Sequence, residues 1–302
     1  MVINIGYFLT FALALANLRA MTASRLRSFS FAVIAFFAVA IVRSAEADTI
    51  LYGSTGGTDG RLYQIDVTTQ MVTFIGSTGF ERIGGIAFNA NGVLYGVSGG
   101  SANQGTLLTI NLTNGAATVI GLLSDPNAAV DGLRFNSQGV LYGSSFNNST
   151  SVGELLTIDP SNANVLSSLT LSGSGNSYCA GIAFDALDVL YGSRGNSSGR
   201  AEDLDLINRN TGVLTPIGGM EAVISDIVFS GDGTLYGSSP TGNLYSINPM
   251  TGAKTLLFNT GISNFSGLAA PVPEPSVSIL LVLPILALFV LMWRRVRPSK
   301  VL

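Results

Sequence analysis

Leu51-Tyr52-Gly53 is the first copy of a tripeptide that this chain of 302 residues repeats at Leu94-Tyr95-Gly96, Leu141-Tyr142-Gly143, Leu190-Tyr191-Gly192 and Leu235-Tyr236-Gly237. The tyrosines of successive copies are 43, 47, 49 and 45 residues apart. A period of this length indicates one supersecondary unit per repeat, as in solenoids and propellers.

Each tripeptide belongs to a unit of four short apolar runs, which we name A to D. Run A has the pattern Gly-Ile-x-Phe, as at 85–88, and run B is Leu-Tyr-Gly. Run C ends in Ile followed by Asp or Asn, as at 62–66, and run D ends in Ile-Gly, as at 72–76. Asn- and Gly-rich turns separate the runs, a pattern typical of antiparallel strands. The sequence therefore predicts an all-β fold, a β-propeller of five four-stranded blades.

The phase of the repeats predicts how the ring closes. The first unit lacks run A, whereas Phe265–Ala269 supplies an extra run of that type after the last unit. We expect this C-terminal run to complete the first blade, which removes two exposed sheet edges.

The order of the runs and the chemistry of the turns resemble those of NHL-type propeller repeats, over residues 48–270. The Leu-Tyr-Gly signature is not part of the NHL pattern. The resemblance implies a fold and not an activity, because propellers serve both as binding modules and as enzymes.

Charge and composition exclude several functions. Residues 48–270 contain 16 acidic and 7 basic residues, a net charge of −9, which disfavours nucleic-acid binding. The chain contains no His, so catalytic triads and zinc sites that depend on His are excluded. Cys179 is the only cysteine, and we expect it to pack as a small buried apolar residue.

The repeated aromatic residues are interpreted as core. Every blade packs against two others, so Tyr of run B and Phe of run A fill equivalent interior positions rather than forming a sugar-stacking ring. We expect the Gly after each Tyr to relieve crowding between blades or to mark a bulge.

Recognition is expected on one rim. The A–B and C–D turns are short and alike, whereas the B–C and D–A segments vary in length and composition and emerge together at the opposite end. The candidate ligand residues on this variable rim are Glu81, Asp131, Tyr178, Glu221 and Asp226.

Asp131 and Asp226 suggest a second interpretation, since each lies at the start of a run A that lines the channel. Two carboxylates there, with Glu81 or Glu221, could bind a cation or act as an acid/base pair, and five-bladed glycoside hydrolases place carboxylates on such inner strands. The two residues stand one position apart in the repeat, however, and no calcium-loop pattern accompanies them. We assign no catalytic residue, metal or cofactor.

Residues 1–47 are predicted to be a signal peptide. Arg25 and Arg27 precede an apolar run over 29–42, and Ala45 and Ala47 form a small-x-small cleavage site. Met21 is an alternative start for the same signal. The apolar run is short for a membrane span, although a helical hairpin in the inner membrane is the competing interpretation.

Residues 271–302 have three parts. Pro273-Glu274-Pro275 is followed by an apolar run over 277–293 and by a basic end that contains Arg294, Arg295 and Arg297, within the basic tail 294–300. The run is long enough to span a membrane as a helix, and the basic end predicts a cytoplasmic C-terminus.

This order of motif, apolar run and basic end resembles the PEP-CTERM sorting signal of Gram-negative bacteria. The resemblance implies processing by an exosortase near Pro273–Pro275 and a connection with exopolysaccharide and the extracellular matrix. A plain C-terminal anchor would explain the apolar run and the arginines but not the Pro-Glu-Pro motif.

The sequence therefore predicts an exported protein, anchored in the inner membrane before processing and then placed at the cell surface or in the matrix. Its propeller is interpreted as a binding or structural module, with polysaccharide as the candidate ligand and exosortase as the processing partner. The alternative is a secreted carbohydrate-active hydrolase or lyase that uses channel carboxylates.

Overall fold

A computed structural model describes residues 49–99, 105–173, 177–195, 201–220 and 223–271. These residues form twenty β-strands in five antiparallel sheets of four strands each. Every sheet corresponds to one repeat unit, so the prediction of an all-β propeller with five four-stranded blades is confirmed.

The blades are numbered I to V, and their strands lie in the order A, B, C and D. Blade I contains β20 (Phe265–Ala269), β1 (Ile50–Thr55), β2 (Arg61–Asp66) and β3 (Met71–Ser77). Blade II contains β4 (Ile83–Phe88), β5 (Leu94–Ser98), β6 (Thr106–Ile110) and β7 (Ala117–Leu122). Blade III contains β8 (Ala128–Phe135), β9 (Leu141–Asn147), β10 (Val152–Ile158) and β11 (Val165–Thr170). Blade IV contains β12 (Tyr178–Phe184), β13 (Leu190–Gly195), β14 (Ala201–Ile207) and β15 (Leu214–Gly219), and blade V contains β16 (Asp226–Phe229), β17 (Leu235–Ser238), β18 (Asn243–Ile247) and β19 (Lys254–Asn259).

The last strand closes the ring, as predicted. β20 pairs antiparallel with β1, and Leu268 lies opposite Gly53 while Ala269 lies opposite Tyr52. Phe265 is fully buried in this blade. The first blade therefore takes three strands from the N-terminal end of the domain and one from its C-terminal end.

The inner strands approach one another through glycines. A Cβ atom on Gly85 would lie 2.6 Å from the backbone nitrogen of Leu133, and one on Gly132 would lie 3.0 Å from the Cα atom of Gly181. Only the absence of a side chain permits such close approach. The Gly of run A therefore brings neighbouring inner strands into direct backbone contact around the axis.

The repeated Tyr and Phe residues join neighbouring blades. Edge-to-face ring pairs with centroids 5.1–5.3 Å apart form between Tyr52 and Phe88, Tyr95 and Phe135, Tyr142 and Phe184, and Tyr191 and Phe229. Such pairs add about 0.5–1.5 kcal/mol each beyond the area that they bury. At the junction of blades V and I, Ala270 stands where the Phe would be, and it packs with Tyr236 in the same cluster. The core role predicted for these aromatic residues is confirmed.

The Gly that follows each Tyr relieves crowding inside its own blade, which differs from the crowding between blades that we expected. A Cβ atom on Gly96 would lie 2.7 Å from the Cδ1 atom of Ile110, and one on Gly237 would lie 2.7 Å from that of Ile247. The Ile of run C thus occupies the space that the Gly leaves. A register shift also lies beside this position, between Gly53 and Thr55 in blade I.

The outer D strands are protected from pairing with other chains. In every blade the C–D pair contains a register shift. Pro216 lies within β15, and it removes one backbone donor from that edge. Bulges and prolines are common means of blocking edge-to-edge aggregation.

The predicted signal peptide, the Pro-Glu-Pro motif, the apolar run over 277–293 and the basic end lie outside the described residues. Within the ranges that the structure describes, no helix has the length and apolar character needed to cross a bilayer.

We predict that Phe265→Ala lowers the free energy of unfolding by about 3–5 kcal/mol, the usual loss for truncating a fully buried Phe. The side chain is 0% exposed and belongs to the strand that closes the ring. Urea denaturation followed by circular dichroism measures the change.

Phe74→Ala is the matched control, because Phe74 lies on outer strand β3 and is 54% exposed. We expect it to cost less than about 1 kcal/mol. Equal losses for the two variants would contradict the closing role of β20.

Candidate functional site

The variable rim lies at the end of the blades where the inner strands begin. Asp131 lies in β8 and Tyr178 is the first residue of β12, so both belong to this end of neighbouring inner strands. The Tyr178 hydroxyl donates a hydrogen bond to the Asp131 carboxylate. Two of the predicted rim residues are therefore brought into direct contact, between blades III and IV.

The environment of this pair raises the pKa of both groups. Burial raises the pKa of Asp131, while the hydrogen bond from Tyr178 and the positive charge of Arg82 oppose the increase. Burial and the negative charge of Asp131 raise the pKa of Tyr178 well above its usual value. Tyr178 is consequently a neutral hydroxyl donor throughout the physiological pH range.

An aromatic ring accompanies the pair. The rings of Phe146 and Tyr178 are 5.8 Å apart in an edge-to-face arrangement. Both residues are partly buried, as is Asp131, so part of each remains accessible from solvent. A carboxylate, a phenol and a phenyl ring thus lie together, partly buried, at the rim, a combination suited to a polar ligand with an apolar face.

Glu81 makes no contact with this pair that the structure records. Glu81 is exposed in the D–A segment before β4, and its carbonyl accepts a hydrogen bond of 2.7 Å from Ser98 Oγ. The neighbouring Arg82 has a φ of 48° and is also exposed. Glu221 lies outside the described residues.

The structure places Asp226 in the axis of the propeller and not at the rim. Its side chain is fully buried, and Arg134 Nη2 lies 3.1 Å from its Oδ2 atom. Oδ2 also accepts a hydrogen bond of 2.8 Å from the backbone N–H of Leu268, and Oδ1 accepts one of 2.9 Å from that of Ile227. Asp131 and Asp226 therefore have separate partners.

Arg134 joins the inner strands of four blades. Its Nη1 atom donates to the carbonyl oxygens of Ile86 (2.6 Å) and Leu133 (2.5 Å). Its Nη2 atom donates to the carbonyls of Leu268 (2.6 Å) and Ile227. These four carbonyls occupy the same position of run A in their blades. We call Arg134 and Asp226 the axial pair.

The axial pair occupies the centre of the ring, and almost all of its polar side-chain atoms form hydrogen bonds. Burial raises the pKa of Asp226 to about 7, against the opposing effects of Arg134 and the two backbone N–H groups. Burial also lowers the pKa of Arg134, while the charge of Asp226 opposes that change. The Nε atom of Arg134 is buried without a hydrogen-bond partner among the described atoms. The pair stabilises the centre of the ring and leaves Asp226 unavailable to a ligand.

Sequence reasoning missed Arg134, although the repeats contained the signal. The residue that follows Ile or Leu in run A is Ala87, Ala183, Val228 or Ala269 in the other blades, and Arg only here. Asp226 likewise replaces the Gly of run A. Two opposite charges that each break an apolar repeat position suggest a pair.

Blade IV contains a second pair of this kind. Arg194 Nε donates to Asp205 Oδ2 at 2.8 Å, and its Nη2 atom contacts Asp203. Cys179 is fully buried beside this group, and burial, followed by the charge of Asp205, raises the pKa of its thiol. The expected packing role of Cys179 agrees with this position.

The surface offers shallow depressions. One of about 270 Å³ on the variable rim is lined by residues that include Thr55, Asp59, Arg61 and Asn264. Another, of about 350 Å³, lies at the opposite end of blade V. Among the described residues, no three Asp, Glu or Cys side chains converge in a metal-binding group.

We predict that Arg134→Ala lowers the free energy of unfolding by about 3–5 kcal/mol, because it leaves Asp226 and four inner-strand carbonyls without their donor. The double variant Arg134→Ala/Asp226→Gly restores the residues of the other repeats at both positions. We expect it to lose at least about 1 kcal/mol less than the sum of the two single variants, as measured by a double-mutant cycle in urea.

The pH dependence of the free energy of unfolding gives an independent test of the axial pair. Since the pKa of Asp226 in the fold, about 7, lies above its unfolded value, the fold holds an extra proton between the two pKa values. The free energy of unfolding should therefore rise as the pH falls from 8 to 5, by at most about 1.4 kcal/mol per unit. Asp226→Gly should lose this part of the slope, and an unchanged slope would contradict the assignment.

Comparisons with known proteins agree with the fold. A family model described as "Repeat of unknown function (DUF6923)" matches residues 136–266. Comparison with curated proteins gives no match. Among solved structures, a chain of the nidogen/laminin complex aligns with a TM-score of 0.50 and 14% identity, over 75% of this chain and 99% of that chain. TolB from Acinetobacter baumannii aligns with a TM-score of 0.47 and 17% identity, over 75% of this chain and 55% of that one. The likeness to the nidogen/laminin chain extends to the fold alone, and by its own sheets this chain is a repeat-built, five-bladed β-propeller.

Proposed function

We propose that this protein is an exported binding module that recognises a polysaccharide through the variable rim of its propeller. The observation that carries the proposal is the contact between Tyr178 and Asp131 at the rim, with the Phe146 ring beside it. The axial pair closes the centre of the ring below, so a ligand at this position rests on the rim.

The chemistry of the rim favours a sugar with many hydroxyl groups. The carboxylate of Asp131 accepts hydrogen bonds, Tyr178 is a neutral hydroxyl, and an aromatic ring contacts the apolar face of a pyranose. The net charge of −9 over residues 48–270 disfavours polyanions. We therefore propose uncharged or cationic sugar units as the ligand.

The route to the surface is the second part of the proposal. Residues 1–47 act as the export signal, cut after Ala47. Residues 271–302 tether the precursor to the inner membrane until an exosortase processes it near Pro273–Pro275. The support for this part is the order of motif, apolar run and arginines in the sequence.

The alternative, a hydrolase or lyase with channel carboxylates, receives less support. Of the two carboxylates that it needs, Asp226 is fully buried and occupied by Arg134, Leu268 and Ile227. A general acid or base must reach the substrate, directly or through one water.

We predict that Asp131→Asn and Tyr178→Phe each weaken binding by about tenfold to a hundredfold, the effect of losing one hydrogen bond that involves a charged group. A glycan array on the purified full chain identifies the ligand, and calorimetry with that glycan measures the change in Kd.

Tyr95→Phe, near the start of β5 in blade II and away from the rim, is the matched control and should bind as the wild type does. Unchanged affinity in both rim variants would refute the rim site. Turnover of the glycan that disappears in Asp131→Asn would favour the enzyme instead.

We also predict that replacing Pro273, Glu274 and Pro275 by Ala retains the precursor in the membrane fraction of a host that has an exosortase. The apolar run stays intact in this variant, so insertion is unaffected while the motif for processing is lost. Immunoblots of membrane and extracellular fractions measure the distribution. Equal release of variant and wild type would contradict sorting through this motif.

A further inference from the structure

The exposed apolar side chains of the propeller gather at one end. We call the end formed by the A–B and C–D turns the constant face, since these turns are alike in all blades. Seven of the twelve large apolar residues that are exposed among the described residues lie there. They are Met71, Val93, Val140, Leu187, Val189, Val213 and Met250. At the variable rim, only Leu122 at the end of β7 is comparable.

These side chains are held outward by ordered turns. Leu187 is 84% exposed and Met250 is 79% exposed. The Asp185 carboxylate accepts hydrogen bonds from the backbone N–H groups of Leu187 (2.9 Å) and Val189 (2.8 Å). Asn248 Oδ1 accepts one of 2.8 Å from the N–H of Met250. Ordered turns thus keep apolar side chains in solvent on this face, where they are available to contact an apolar phase.

Both ends of the domain lie at the same face. β1 runs from the constant face to the rim, and the antiparallel β20 runs back, so Thr49 and Pro271 are both at the constant face. From Pro271 to the start of the apolar run at Val277 is six residues, which span at most about 20 Å. The chain therefore leaves the domain for the proposed membrane tether from the constant face.

The negative charge of the constant face indicates which kind of partner surface it can contact. The carboxylates of Asp66, Asp159 and Asp188 accept hydrogen bonds from turn residues, which lower their pKa values and keep them ionised. Burial opposes the change at Asp232, but hydrogen bonds from Ser230 and Thr234 together lower the pKa of this carboxyl as well. Arg209 and Lys254 are the cations near this face in the described part of the chain. A second copy of the face would bring like charges together, whereas the ammonium groups of zwitterionic lipids would meet carboxylates.

We propose that the constant face rests on the surface of a zwitterionic lipid bilayer. Its apolar turn residues reach into the headgroup region, and the variable rim faces away from the membrane. The inference rests on the tether of the proposed function and adds to it a defined orientation of the propeller.

The experiment uses the full chain, reconstituted into phosphatidylcholine vesicles that carry brominated acyl chains. Leu187→Cys and Met250→Cys on the constant face, and Thr58→Cys on the rim, are labelled with an environment-sensitive fluorophore. Cys179 is 0% exposed, so wild-type protein measures the background of labelling. We expect quenching at 187 and 250 to exceed that at 58 by about threefold or more, since interfacial side chains reach roughly 5–10 Å into the headgroup region.

The outcomes separate this inference from the proposed function. Protein that floats with the vesicles but shows equal quenching at all three positions overturns the orientation and leaves the tether intact. Protein that does not float contradicts the tether itself, and the inference falls with it.

A second set of vesicles tests the class of lipid. With phosphatidylglycerol replacing part of the phosphatidylcholine, we expect weaker quenching at 187, because the ionised carboxylates are repelled by the anionic surface. Stronger quenching on the anionic vesicles would overturn the choice of a zwitterionic partner.

Discussion

The pairing of β20 with β1 is the constraint on which the rest of the structure depends. A propeller of repeated sheets has no intrinsic end, and without this pair blade I would lack its inner strand. The pair completes blade I and brings Leu268 to Arg134 and Asp226 on the axis. The antiparallel order of the strands within each blade then separates the rim from the constant face.

Much of this architecture could be predicted from the sequence, because the same pattern of apolar positions and turns occurs in five repeats. Leu51 or Leu141 alone predicts little, but the period of Leu-Tyr-Gly and the extra run at 265–269 predict both the blades and their closure. The repeat pattern does not predict the residues on the axis, because they differ from one repeat to the next. Arg134 and Asp226 appear once each, and their meeting across blades depends on three-dimensional distance rather than on spacing in the chain. The contact between Tyr178 and Asp131 was hidden for the same reason, although both residues were selected as candidates.

Positions that depart from the repeat pattern have structural roles that differ from those of the regular positions. Where the pattern holds, side chains such as Ile110 beside Gly96 serve packing. Where it breaks, opposite charges pair inside the protein, as Arg134 does with Asp226 and Arg194 with Asp205. A buried ion pair contributes little net stability compared with apolar residues of similar volume, but losing one partner is costly. These pairs therefore distinguish blades III, IV and V from one another. A blade placed at another position in the ring would leave a buried charge without its partner.

The junction between blades V and I is built differently from the others, since Ala270 replaces the Phe that elsewhere pairs with a Tyr. This junction lies beside the strand through which the chain leaves the domain. A pull between a polymer held at the rim and an anchor at the other end would run along β20. Its hydrogen bonds to β1 would then be loaded in parallel, as in shear, and would not open one after another. The mechanical strength of the ring would therefore reside in the short backbone pairing between β20 and β1.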